Sequence, residues 1–125
     1  YIISQNMPII IRNEEKNYIQ ETTGLKIESL TDSQKLKSPV MVVNRLIFDS
    51  NIIGPELTHP DIDQLLYVIK GNGIAKVNNE ELSLNKESIL WLENGEKYQF
   101  ISGSNGLEIL QGYAPYSILE DVQTI

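Results

Sequence analysis

The chain has 125 residues, 41% hydrophobic and 22% charged, a balance that suits one globular domain and excludes a disordered or fibrous chain. Its formal net charge of −7 repels phosphate backbones and no Lys/Arg cluster offsets it, so nucleic acid is not an expected partner. With no cysteine, disulfides, thiolate zinc sites and cysteine nucleophiles are all excluded.

In chain order, 8–12 (PIIIR) reads as a short strand whose opening proline suits a strand start or an edge. Residues 14–21 are polar and read as a loop or a turn of helix, and 31–38 (TDSQKLKS) as a polar connection. The longest apolar stretch, 39–49 (PVMVVNRLIFD), predicts a central strand. From there turn residues divide the chain: Gly54-Pro55, Gly71-Asn72-Gly73, Asn78-Asn79, Asn94-Gly95 and Asn105-Gly106. Asn-Gly pairs between apolar runs are hairpin signals, because both central residues of a type I′ turn need positive φ. Between the breaks lie 64–70 (QLLYVIK), 74–77, 82–84, 89–92, 97–101 and 107–110, each of strand length. After Pro115, the spacing of Ile118, Leu119 and Val122 predicts a short amphipathic helix. Short strands in this rhythm predict an all-β sandwich or barrel. We expect one domain over 1–125, with a core at about 25–113, an N-terminal arm at 1–24 and a C-terminal tail at 114–125. No run nears the roughly 20 apolar residues of a spanning helix, and no basic leader precedes an apolar stretch. A soluble, cytoplasmic protein with no membrane partner is expected.

Residues 54–71 (GPELTHPDIDQLLYVIKG) resemble the first motif of the cupin superfamily: a glycine, a His-x-His pair, a glutamate, then a strand ending in glycine. Residues 85–100 (NKESILWLENGEKYQF) resemble the second, a Pro-x-Gly turn with a histidine three residues after the glycine. The resemblance implies a cupin-type β-barrel, a jelly-roll-like double-stranded β-helix. Carried over position by position, Leu57 stands for the first histidine, His59 for the second and Gln64 for the glutamate. Glu93 stands for the motif-two proline, Gly95 keeps its glycine, and Tyr98 stands for its histidine. An alternative register, with His59 first and Asp61 second, fits the downstream spacing less well. Composition bears on both: one histidine in the whole chain cannot build a three-His, one-carboxylate metal centre. No metal and no cofactor are expected.

On a strand, side chains alternate faces. If Leu57 and His59 point inward as the family's ligands do, then so do Gln64, Leu66 and Val68, with Tyr98 and Phe100 on a facing strand. This predicts a mostly apolar cavity with a few polar heads, the usual make-up of a small-molecule pocket. His59 is the candidate acid–base group and Tyr98 a hydrogen-bond donor to a developing oxyanion, the two catalytic candidates. Gln64 would hold a carbonyl or hydroxyl, with Leu57, Leu66 and Phe100 as apolar lining. Arg45 would either anchor a substrate carboxylate or lie on the solvent face with its stem packed flat. Glu56, Asp61, Asp63 and Glu93 read as solvated rim residues, and Trp91 and Tyr67 as core or interface packing.

Three functions stay open. The first is a metal-independent barrel that binds a small organic ligand and carries out a non-redox proton transfer of isomerase, cyclase or lyase type. The second is a non-catalytic binding or sensing module. The third is a dioxygenase or hydrolase with an atypical metal site built on His59. Strand edges need covering, and cupins are often dimers, so a homodimer is expected.

Overall fold

The structure is a computed structural model, described for residues 8–32, 36 and 40–114. A 3₁₀ turn at Asn13–Glu15 precedes seven strands: β1 (Asn17–Thr22), β2 (Leu25–Ser29), β3 (Val42–Phe48), β4 (Gln64–Val77), β5 (Glu80–Leu84), β6 (Ile89–Leu92) and β7 (Tyr98–Tyr113). All pairings are antiparallel, in the order β1-β2-β3-β7-β4-β5, with β6 also paired to β4. The all-β barrel expected from the turn spacing is what forms.

Two long strands, β4 and β7, close it. The first half of β7 pairs with the second half of β4 (Tyr98 with Val77), and the second half of β7 with the first half of β4 (Tyr113 with Gln64). Each strand changes phase midway. On β4 the buried positions run Gln64, Leu66, Val68 and then Ala75, Val77; on β7 they run Tyr98, Phe100, Ser102 and then Leu107, Ile109, Gln111. Passing from even to odd numbers needs an extra residue, and the β4–β7 register slips at Val68/Lys70 and at Gly71/Gly73. Gly71 (φ 87°) and Gly106 (φ 73°) supply the left-handed conformations there, and a Cβ on Gly71 would run into the Gly106 carbonyl.

This corrects the expectation of turns at 71–73 and 105–106: both are bends inside continuous strands. Asn78-Asn79 is the hairpin turn expected, with φ of 50° and 69° between Val77 and Glu80. Asn94-Gly95 does form a turn, closed by Glu96 N–H to the Glu93 carbonyl at 3.0 Å, but it joins two strands that are not paired with each other. Residues 8–12 are not a strand; the hairpin of β1 and β2 forms one end of the strand order. The sheet begins at Asn17, within the stretch expected to be an arm. The helix expected near 118–122 lies outside the described residues.

The core joins Leu46 and Phe48 of β3, Leu66, Val68, Ala75 and Val77 of β4, and Tyr98, Phe100, Leu107 and Ile109 of β7, all nearly inaccessible to solvent. Its aromatic part is edge-on: Phe100 lies 5.5 Å from the Tyr98 ring and 6.0 Å from that of Phe48. Among the described residues no helix is long and apolar enough to cross a membrane.

Candidate functional site

His59 sits on the connection between β3 and β4, which is laced to its surroundings by short bonds. Gly54 N–H donates to the Phe100 carbonyl at 2.9 Å, and Leu57 and Tyr98 exchange backbone bonds at 2.8 and 2.9 Å. Thr58 Oγ1 donates to the Gly95 carbonyl at 3.0 Å, Asp61 N–H to Asn94 Oδ1 at 2.7 Å and Asn94 N–H to Asp63 Oδ1 at 3.0 Å. Asp61 and Asp63 thus serve the loop, and Leu57 positions His59 through its backbone as well as packing against the core.

That scaffold brings the imidazole to Tyr98, with Nε2 and Oη 2.8 Å apart. The Tyr113 ring also lies beside it, nearly parallel, centroids 6.0 Å apart at 22°. Behind Tyr98 runs a buried chain of amides. Gln111 Nε2 donates to Tyr98 Oη at 3.3 Å and to Gln64 Oε1 at 2.7 Å, and Gln111 Oε1 accepts from Asn44 Nδ2 at 3.2 Å. Asn44, Gln64, Tyr98 and Gln111 are 5%, 2%, 1% and 5% exposed, so the bonds are made away from water, whereas His59 is only half-buried. Burial lowers the His59 pKa below the ordinary 6.5, which favours the neutral ring. Burial also pushes the Tyr98 phenol up to about 12, against the opposing pull of the Gln64 and Gln111 amides.

Of the residues singled out in sequence, His59, Tyr98 and Gln64 meet here. Leu66 and Phe100 share the inner face but are closed off in the core, 1% and 2% exposed, and pack beneath the site rather than line it. Arg45 is elsewhere. Its neighbour Asn44 points inward, so alternation turns Arg45 outward, where Nη2 meets Glu108 Oε2 at 2.8 Å and Nη1 meets Glu28 Oε1 at 3.5 Å. It is a structural ion pair in place of the substrate anchor considered above. Trp91 and Tyr67 also lie on the outer face, and Trp91 is exposed rather than core. Asn44, Gln111 and Tyr113 were missed. The signal was present as single polar residues at inward positions of apolar strands, Asn44 before Leu46 and Phe48, and Gln111 after Leu107 and Ile109.

The residues do not fit the metal that the fold family implies. No three His, Cys, Asp or Glu side chains converge among the described residues. Gln64 Oε1 is already taken by Gln111, Leu57 has no donor atom, and a phenol ionising at about 12 is a poor ligand. A groove of about 620 Å³ lies over Val43, Leu65, Tyr67, Trp91 and Leu110, outward-facing positions of the same sheet, and its lining also includes Gln111 and Tyr113.

No protein-family model matches the chain, and no curated protein matches it. Solved structures do. KdgF from Halomonas sp. is 15% identical with a TM-score of 0.72, over 87% of this chain and 94% of its own. An RmlC-like cupin from Shewanella frigidimarina is 16% identical with a TM-score of 0.71, over 87% and 92%. Streptomyces Pac13, described as a nucleoside dehydratase, is 16% identical with a TM-score of 0.67, over 87% and 83%. Identities this low speak to architecture, and on that the strand order, the closure of β4 on β7 and the solved neighbours agree: the chain is folded as a cupin barrel.

Proposed function

We propose that the chain binds a small organic molecule against His59, between Tyr98 and Tyr113, and carries out a metal-independent proton transfer next to a carbonyl or hydroxyl of that molecule. The observation that carries this is the 2.8 Å contact of the His59 imidazole with a buried phenol, backed by amides. Imidazole is the side chain suited to moving a proton near pH 7, and here it sits where the barrel meets solvent. Isomerisation, cyclisation and elimination are the reaction classes that need such a group and no redox centre. Pac13 gives the reading support from the same fold, since its described activity, a dehydration, is non-redox. Its structures with uridine include variants with one histidine or one tyrosine replaced.

The interior beneath the site is filled by Leu66, Val68, Leu92 and Phe100 in place of the apolar cavity expected from strand alternation, so the reading confines a ligand to the mouth of the barrel. Thermal-shift titration with nucleosides, uridine among them, and small hydroxy-carbonyl compounds tests binding. A ligand at a hundred times its Kd is expected to stabilise the fold by about 2.7 kcal/mol. His59→Gln and Tyr98→Phe should each lose most of that shift, and shifts in both variants equal to that of the wild type would overturn the proposal. Solvent-deuterium incorporation into the bound compound then separates the enzyme, which exchanges a proton, from the binder, which does not.

A further inference from the structure

The hydrogen bonds behind His59 run in one direction. Asn44 Nδ2 donates to Gln111 Oε1, and the two N–H groups of Gln111 Nε2 are both used, on Gln64 Oε1 and on Tyr98 Oη. Reversing the amides would turn the Gln111 carbonyl towards Gln64 and Tyr98 and its two-proton nitrogen towards a single Asn44 oxygen. One buried Gln111 N–H would then lack an acceptor, and so would the Asn44 amide. The order seen leaves Asn44 Oδ1 as the unmatched atom of the chain. An orphaned buried N–H is the rarer defect.

The direction has a consequence at the imidazole. Tyr98 Oη accepts from Gln111, and the Gln64 amide also acts on it as a donor, which leaves His59 Nε2, 2.8 Å away, as the acceptor for its own proton. Nε2 must then be bare, which puts the ring proton of the neutral histidine on Nδ1. Among the described residues Nδ1 makes no hydrogen bond of its own, and it belongs to a half-buried ring.

We propose that Gln111, held by Asn44, is a positioning residue that selects the Nδ1–H tautomer of His59, so that the nitrogen offered to a ligand is a hydrogen-bond donor. The inference rests on the reading of His59 as the ligand contact and narrows it. The molecule recognised presents an acceptor oxygen, of a carbonyl, carboxylate or phosphoryl group, to Nδ1–H. A neutral donor aimed at such an oxygen can stabilise negative charge developing on it without first taking up a proton.

Because the chain has one histidine, a sample labelled with ¹⁵N-histidine shows a single imidazole. Nitrogen NMR on the ligand-free protein near neutral pH should show a protonated Nδ1 and a bare Nε2. In Gln111→Glu a carboxylate replaces the amide donor and competes for the Tyr98 proton, so the tautomer should reverse to Nε2–H. A wild-type ring protonated at Nε2 overturns the proposal with no variant needed. So does a Gln111→Glu protein that folds and keeps the wild-type pattern. The measurement uses no ligand, which keeps the two readings apart. The wrong tautomer with ligand shifts intact sinks only the relay, and the right tautomer in a protein that binds no oxygen compound sinks the function.

Discussion

His59 and Tyr98 both resist ionising in the fold, and this links each to stability at opposite ends of the pH scale. For His59, burial lowers the native pKa below 6.5. As pH falls through that window the unfolded chain takes up a proton that the folded chain does not, so stability drops on the acid side and is fully present above 6.5. His59→Gln should flatten that part of the profile in urea titrations repeated across pH. For Tyr98 the sign is opposite. The unfolded phenol ionises at 10.0 and the native one at about 12, so stability is lost as pH rises through that interval, by about 3 kcal/mol in full. Tyr98→Phe should remove this alkaline slope. It should also cost about 1–3 kcal/mol at neutral pH, because the buried Gln111 N–H loses an acceptor. His59, Gln64 and Tyr98 were legible beforehand because a motif frame marked their positions. Gln111 and Asn44 were not, since a lone amide within an apolar strand gains its meaning only when strands distant in sequence bring it beside another amide.

At the scale of elements, two features that look functional in sequence prove to be architectural. Arg45 joins three strands: it lies on β3, pairs with Glu108 on β7 and reaches Glu28 on β2, both carboxylates being largely withdrawn from solvent. Among the described residues, removing it leaves Glu28 with Lys16 alone, at 3.5 Å, and Glu108 with Lys70 alone, at 3.6 Å, and Arg45→Met should cost about 2 kcal/mol, reduced from the fully buried case by those partners and because the arginine side chain is 30% exposed. Ligand shifts at a temperature where the variant is folded should be unchanged; their loss would return Arg45 to the site. Gly71 is the second feature. Gly71→Ala must hold a positive φ and place a methyl against the Gly106 backbone, and we expect a loss of about 3 kcal/mol in chemical denaturation. The same glycines explain why sequence divided β4 and β7 into four short strands. Gly-Asn-Gly and Asn-Gly signal positive φ, and a bulge in a long strand needs that as much as a hairpin does; the paired strand decides which forms. β2 was lost for a different reason, since LKIES is short and mostly polar, and its outward Glu28 is buried only because Arg45 and Lys16 cover it.

For the molecule as a whole, the barrel was legible because turn spacing and motif frame point to one topology, whereas what the outer surface meets depends on side chains that carry no motif. That surface has an apolar side. Val40, Met41, Leu65 and Trp91 border the 620 Å³ groove with 46–59% of each exposed, and Asp63 is the one charged residue in the groove lining among the described residues. On a chain of net charge −7, like copies repel wherever their carboxylates approach. A nearly uncharged face escapes that repulsion while offering apolar area to bury. We propose that a second copy of this chain covers it, Trp91 of each subunit packing into the groove of the other about a two-fold axis. Sedimentation should then report twice the 14.2 kDa chain mass, and the melting temperature should rise with protein concentration. Trp91→Lys puts two ammonium groups into that interface and should return the mass to 14.2 kDa with a melting temperature independent of concentration. The His59 nitrogen spectrum should not change, because Trp91 faces away from the relay. A wild-type mass of 14.2 kDa at high concentration would leave this face open to solvent and sink the pairing, without touching the chemistry inside the barrel.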